Sequence, residues 1–87
     1  MQYTVVWGSA AEAELAHLWI DESTRAAVTQ AANEIDRCLR IDPLHLGESR
    51  PHNRRIFFSA PLAVTFTIDE NHRLVQVLEV WKFSLHE

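Results

Sequence analysis

Between residues 62 and 68 the chain alternates without a break: Leu62, Val64, Phe66 and Ile68 fall on one parity, Ala63, Thr65 and Thr67 on the other. Successive side chains of a strand point to opposite faces, so the pattern predicts a strand with one buried face. Such a strand needs neighbours for its backbone and a second layer for its apolar side. Arg54-Arg55-Ile56-Phe57-Phe58-Ser59 predicts the strand before it, joined through Ser59-Ala60-Pro61, with Pro61 tolerated at a strand start. Leu74 to Phe83 carries apolar residues on both parities, the pattern of a central strand. Asp69-Glu70-Asn71-His72 predicts the hairpin turn between the last two.

The first half of the chain supplies the covering layer. Gln2-Tyr3-Thr4-Val5-Val6-Trp7 is β-branched and aromatic and predicts an opening strand. Ser9 and Glu12 have capping-box spacing, and Ala11, Leu15, Leu18 and Trp19 recur at helical spacing, which predicts a helix over 10–20 with Trp19 on its inner stripe. Asp21-Glu22-Ser23-Thr24 offers caps for a second helix, whose stripe is Val28, Ala31, Ala32, Ile35 and Leu39. Asp42-Pro43 ends it, because proline disfavours helical geometry at the preceding residue. Pro43 to Asn53 is expected to be irregular. The predicted fold is a single α+β domain over 1–87, ordered β-α-α-β-β-β, with a helical hairpin on one face of a mainly antiparallel four-stranded sheet.

Composition narrows the setting. No apolar run approaches the length of a membrane helix, and the start has no basic region followed by an apolar stretch, so neither a span nor a signal peptide is expected. One cysteine, Cys38, cannot form an internal disulfide and is expected to be a small, partly buried filler; a reducing compartment is the natural reading. No His, Cys, Asp or Glu spacing matches a metal site, so neither metal nor cofactor is expected. Eight Lys and Arg against twelve Asp and Glu give a net charge of −4, the wrong sign for a protein that coats nucleic acid non-specifically. The charge is uneven, though: Arg50, His52, Arg54 and Arg55 occupy a stretch with no acid between Glu48 and Asp69.

Several strings resemble the RelE/ParE superfamily of toxins from type II toxin–antitoxin modules: Leu46-Gly47-Glu48-Ser49-Arg50, Asn53-Arg54-Arg55-Ile56-Phe57-Phe58, Pro61-Leu62-Ala63-Val64 into Phe66, and Val77-Leu78-Glu79-Val80-Trp81-Lys82. The resemblance covers nearly the whole chain. It implies a bacterial cytoplasmic toxin neutralised by a cognate antitoxin protein. Members divide between endoribonucleases that cut mRNA, commonly on the ribosome, and poisons of DNA gyrase. Arg54 matches the arginine that often opens the second strand, whereas many ribonuclease relatives have an arginine where this chain has Ala63. The resemblance therefore implies an mRNA endoribonuclease, with a gyrase inhibitor or a catalytically weak antitoxin-binding relative as alternatives.

Metal-independent RNA cleavage needs a base for the 2′-OH proton, cations for the crowded phosphorane and an acid for the departing 5′-oxygen. Arginine suits the phosphorane and histidine either proton role. The candidates are Arg54, Arg50 and Lys82 as cations and His52 and His86 as proton carriers, with Glu48 as an alternative base; Arg50, Arg55 and Lys82 are the candidate RNA contacts. Arg54 and Arg55 are strand neighbours and should point to opposite faces, so at most one is expected in a shared cleft. Each also has a plainer role: Lys82 as an edge charge, Glu48 as the ion-pair partner of Arg50, and His17, His45 and His72 as surface or turn residues.

Overall fold

The computed structural model describes residues 2–83. In chain order they form β1 (Thr4–Trp7), α1 (Ser9–Leu18), α2 (Arg25–Ile41), a 3₁₀ turn (Pro43–His45), β2 (Glu48–Arg50), β3 (Arg54–Ser59), β4 (Leu62–Asp69) and β5 (Leu74–Lys82). The strands make one sheet in the order β1-β5-β4-β3-β2. β1 runs parallel to β5 and every other pairing is antiparallel. A parallel neighbour needs a crossover, and the α1–α2 hairpin is part of it.

The alternating segment behaves as its pattern predicts. Leu62, Val64 and Phe66 have no exposure and share the main core with Val75, Val77 and Val80 of β5 and Phe57 of β3. Val28, Ala31, Ile35 and Leu39 of α2 are buried in the same core, so the predicted stripe of the second helix is the one that covers the sheet. Burying one such side chain contributes roughly 1.5–3 kcal/mol, so this layer dominates the stability of the small domain. A bulge between Thr65 and Phe66 shifts the β4–β5 register and leaves Leu78 as the extra residue.

Three local expectations are corrected. The sheet has five strands rather than four, because β2 forms inside the segment expected to be irregular. All three of its residues are exposed, so it has no apolar period to detect. The capping box does not form: Gly8 is the N-cap of α1, with no side-chain cap bond. Gly8 sits where the chain turns straight from β1 into α1 against β5, its N–H donating to the Val77 carbonyl at 2.9 Å. A Cβ there would lie 3.2 Å from that oxygen. Trp19 follows the last turn of α1 rather than lying on its inner stripe, and it keeps 48% of its surface exposed. Its Nε1 donates to Thr29 Oγ1 at 2.8 Å, and the Arg25 guanidinium stacks on its ring at 4.2 Å.

Candidate functional site

Arg50 ends β2 and Arg54 opens β3, joined by the three-residue loop Pro51-His52-Asn53. His52 and Asn53 both adopt left-handed backbone, at φ 66° and 61°. Asn and His are among the residues that tolerate this conformation, and two in succession reverse the chain tightly. The reversal makes Arg50 and Arg54 direct cross-strand partners on one face of the sheet, with His52 at the tip between them. Like charges placed directly opposite in a sheet repel. Glu48 offsets one of them, its Oε1 lying 3.2 Å from Arg50 Nη1, which is the plainer role expected of it. Among the described residues Arg54 makes no ion pair.

Arg55 points to the other face, as strand alternation requires, and each nitrogen of its guanidinium donates one hydrogen bond. Nε donates to the Leu46 carbonyl at 2.9 Å, Nη2 to the Gly47 carbonyl at 3.2 Å and Nη1 to Ser49 Oγ at 3.2 Å. These bonds fasten the chain entering β2 onto β3. Gly47 makes the approach possible: its φ is +70°, and a Cβ there would come 2.1 Å from the Ile56 carbonyl oxygen. Arg55 and Gly47 thereby fix the strand that carries Arg50.

Around this hairpin lies an open cleft of about 500 Å³. The cleft wraps the end of the hairpin and takes residues from both faces of the sheet: Arg50 and Arg54 from one, Arg55 and Ile68 from the other, with His52 at the tip, Leu44, and Glu70 from the β4–β5 turn, so both adjacent arginines border it where at most one was expected. Four of the six predicted site residues are thus brought to one place. Lys82 is not among them. It pairs across the sheet with Leu62, which pairs with Ser59, five residues along β3 from Arg54. That separation is about 17 Å along the strand direction. Lys82 also shares the helix-covered face of Leu62, and its Nζ lies 3.4 Å from Thr24 Oγ1 at the start of α2. His86 lies outside the described residues.

The helix-free face of the sheet next to Arg54 is apolar. Ile56, Phe58, Ala63 and Trp81 follow from the register as its residues, none of them part of the main core. Ala63 has no exposure although none of the described helices covers it, and Phe58 and Trp81 flank it directly on the neighbouring strands. Phe58 keeps 49% exposure and meets Phe83 edge to face at 5.4 Å.

This arrangement of strands and helices matches solved structures. Neither a family model nor a curated protein sequence matches the chain. The toxin–antitoxin complex RelBE2 from Mycobacterium tuberculosis superposes with a TM-score of 0.73 and 24% identity, covering 94% of this chain and 92% of that one. The chromosomal ParDE system from P. aeruginosa gives 0.72 and 16%, covering 94% and 97%. The isolated E. coli RelE toxin gives 0.67 and 14%, covering 98% and 88%.

The chain has the RelE/ParE fold.

On this RelE/ParE fold, Glu70 is among the cleft-lining residues that the sequence reading did not single out. It was legible only as part of a turn; strand register is what carries that turn beside the β2–β3 hairpin. The histidines set aside as turn residues are indeed local: His45 Nδ1 pairs with Asp42 Oδ1 and His72 Nδ1 with Asp69 Oδ2, each at 2.8 Å. The hydrogen bond from His72 holds the Asp69 carboxyl below its ordinary pKa. Cys38 is half-buried; burial first and then its hydrogen bond to Glu34 push the thiol pKa up, which suits a filler rather than a nucleophile. Among the described residues no group of His, Cys, Asp or Glu is arranged to hold a metal ion, and no helix is long and apolar enough to cross a membrane.

Proposed function

We propose that this chain is the toxin of a toxin–antitoxin pair, neutralised by a cognate antitoxin, and that it acts in the cytoplasm as a metal-independent endoribonuclease on mRNA. The observation that carries the RNA target is the Arg50–Arg54 pair. Two guanidiniums set directly opposite each other are unfavourable for the bare sheet and become favourable once an anion lies between them. A phosphodiester supplies that anion, and His52 at the same tip brings an imidazole, a side chain able to take up or release a proton. Arg54 and Arg50 stabilise the phosphorane; His52, with His86 as the second candidate, moves the protons; the ribosome supplies the mRNA substrate in place. Lys82, remote from the hairpin, serves as a peripheral RNA contact. The test is brief induction of the chain alone in a bacterial host, followed by mapping of new RNA 5′ ends. New ends that vanish with Arg54→Ala support the assignment; growth arrest with intact mRNA rejects it.

A second reading rests on a separate observation. The helix-free face carries Phe58, Ala63 and Trp81, a surface suited to a protein target, and a gyrase-directed toxin would use it. Inhibition of gyrase supercoiling by the purified chain, lost with Phe58→Ser, would support that reading, and unaffected supercoiling would remove it.

A further inference from the structure

β2 is the free edge of the sheet, last in the order β1-β5-β4-β3-β2, and all three of its residues are exposed. An edge strand leaves a row of backbone N–H and C=O groups ready to pair with another strand. Proteins blunt such edges with a lysine or proline inside the strand, with a bulge or with a covering segment. β2 carries no lysine or proline, its pairing with β3 is regular, and among the described residues nothing covers it. Its shortness, about 10 Å, is the restraint that remains.

The sequence of this edge, Glu48-Ser49-Arg50, is a charge palindrome. Turned by a two-fold axis through Ser49, an antiparallel second copy of β2 sets Glu48 opposite the second copy's Arg50, and Arg50 opposite its Glu48. Opposite charges directly across a ladder attract. Within one chain Glu48 Oε1 already lies 3.2 Å from Arg50 Nη1 on the same face of the strand, so the two edges together make a square of alternating charge. The pairing also offsets the like-charge contact of the hairpin. Arg50 faces Arg54 across β2–β3, and the second copy brings a carboxylate to its other flank. On the opposite face Ser49 meets its own copy, a small side chain held by Arg55 Nη1 at 3.2 Å. Gly47 at φ 70° and Pro51, which lacks an N–H, bound the ladder on either side and confine it to these three residues.

We propose that the free chain associates with a second copy of itself as a two-fold dimer, through antiparallel pairing of β2 with β2, joining two five-stranded sheets into one. Both β2 edges are used up in the pairing, so the assembly closes at two chains. The contact is small, in the class of transient interfaces, and monomer and dimer exchange. Self-association of this kind does not depend on the cellular target. Sedimentation velocity of the purified full-length chain, from micromolar to millimolar concentration, should show a monomer–dimer equilibrium. Glu48→Arg makes the edge wholly basic and Arg50→Glu wholly acidic. Each variant alone should weaken the dimer at least about tenfold, because each sets like charges opposite one another. Mixed in equal amounts, the two variants should associate again, each basic residue now facing an acidic one. Circular dichroism checks that both variants fold. A chain that stays monomeric throughout leaves the edge to some other strand and overturns the proposal. A dimer that both single variants leave intact, or two folded variants that do not associate when mixed, overturns it as well.

Discussion

On the helix-covered face of the sheet, Leu62, Val64 and Phe66 follow one another along β4 with no exposure, sealed by Val28, Ile35 and Leu39 of α2. On the opposite face the same strands carry Ile56, Phe58, Ala63 and Trp81 with no helix above them, and this face runs out at its free end into Arg50 and Arg54. The covered face stabilises the domain by removing apolar surface from water. The uncovered one leaves apolar rings and an opposed pair of arginines in solvent, a combination that adds little to folding. The contrast is what supports the proposed site: it lies where the residues are poorly explained by stability.

That contrast can be broken with one pair of variants. Phe66→Ala should destabilise the domain by about 3–5 kcal/mol, the range for a fully buried aromatic, whereas Phe58→Ala should cost less than about 1.5 kcal/mol. Urea denaturation measures both. Similar losses would mean that the uncovered face is buried in solution and that the two faces are not different.

The next effect is local to the hairpin. Gly47→Ala places a β-carbon in left-handed backbone and against the Ile56 carbonyl, so it should cost about 2 kcal/mol or more. Amide exchange should show lost protection at Ser49 and Arg50 with β4 unchanged.

The adjacent arginines sharpen the comparison further. Arg55→Ala removes a guanidinium from three acceptors and should cost about 1–3 kcal/mol. Arg54→Ala should change stability by no more than about 0.5 kcal/mol, because its loss relieves a like-charge pair. A large loss from Arg54→Ala would reassign it to the scaffold.

The smallest effect concerns pH. The Asp69 carboxyl is depressed by the His72 hydrogen bond. A depressed acid stabilises the fold above its unfolded pKa, and that contribution fades as pH falls through the folded value. In an NMR titration Asp69 should therefore deprotonate at lower pH than a free aspartate, and His72→Ala should return it toward the ordinary value. Because the carboxyl is at the surface, the global stability profile should barely respond.

Much of the covered face was legible from sequence for a simple reason: burial imposes a period. The alternation of 62–68 and the stripe Val28, Ala31, Ile35, Leu39 each named core residues before any coordinates. The α+β class and the order of the long elements followed from them. Where no period exists, the sequence was silent or misleading. β2 is three exposed residues held by backbone pairing and by Arg55, so Glu48-Ser49-Arg50 reads as loop. Ser9 has the right spacing for a cap, but the close approach of Gly8 to Val77 moves the helix start. The candidate site was half legible. Arg50, His52, Arg54 and Arg55 are close in sequence and meet. Lys82 was grouped with them by residue type, and strand direction sends it to the far end of the sheet. Glu70 joins them only through the register of β4 with β3.

The central claim is that the hairpin arginines, not the distant lysine, carry RNA cleavage. The most direct measurement compares new RNA 5′ ends after matched induction of the unaltered chain, Arg54→Ala and Lys82→Ala. The prediction is that cleavage and growth arrest disappear with Arg54→Ala and persist with Lys82→Ala. Undiminished cleavage by Arg54→Ala, or no new ends from the unaltered chain, would contradict it.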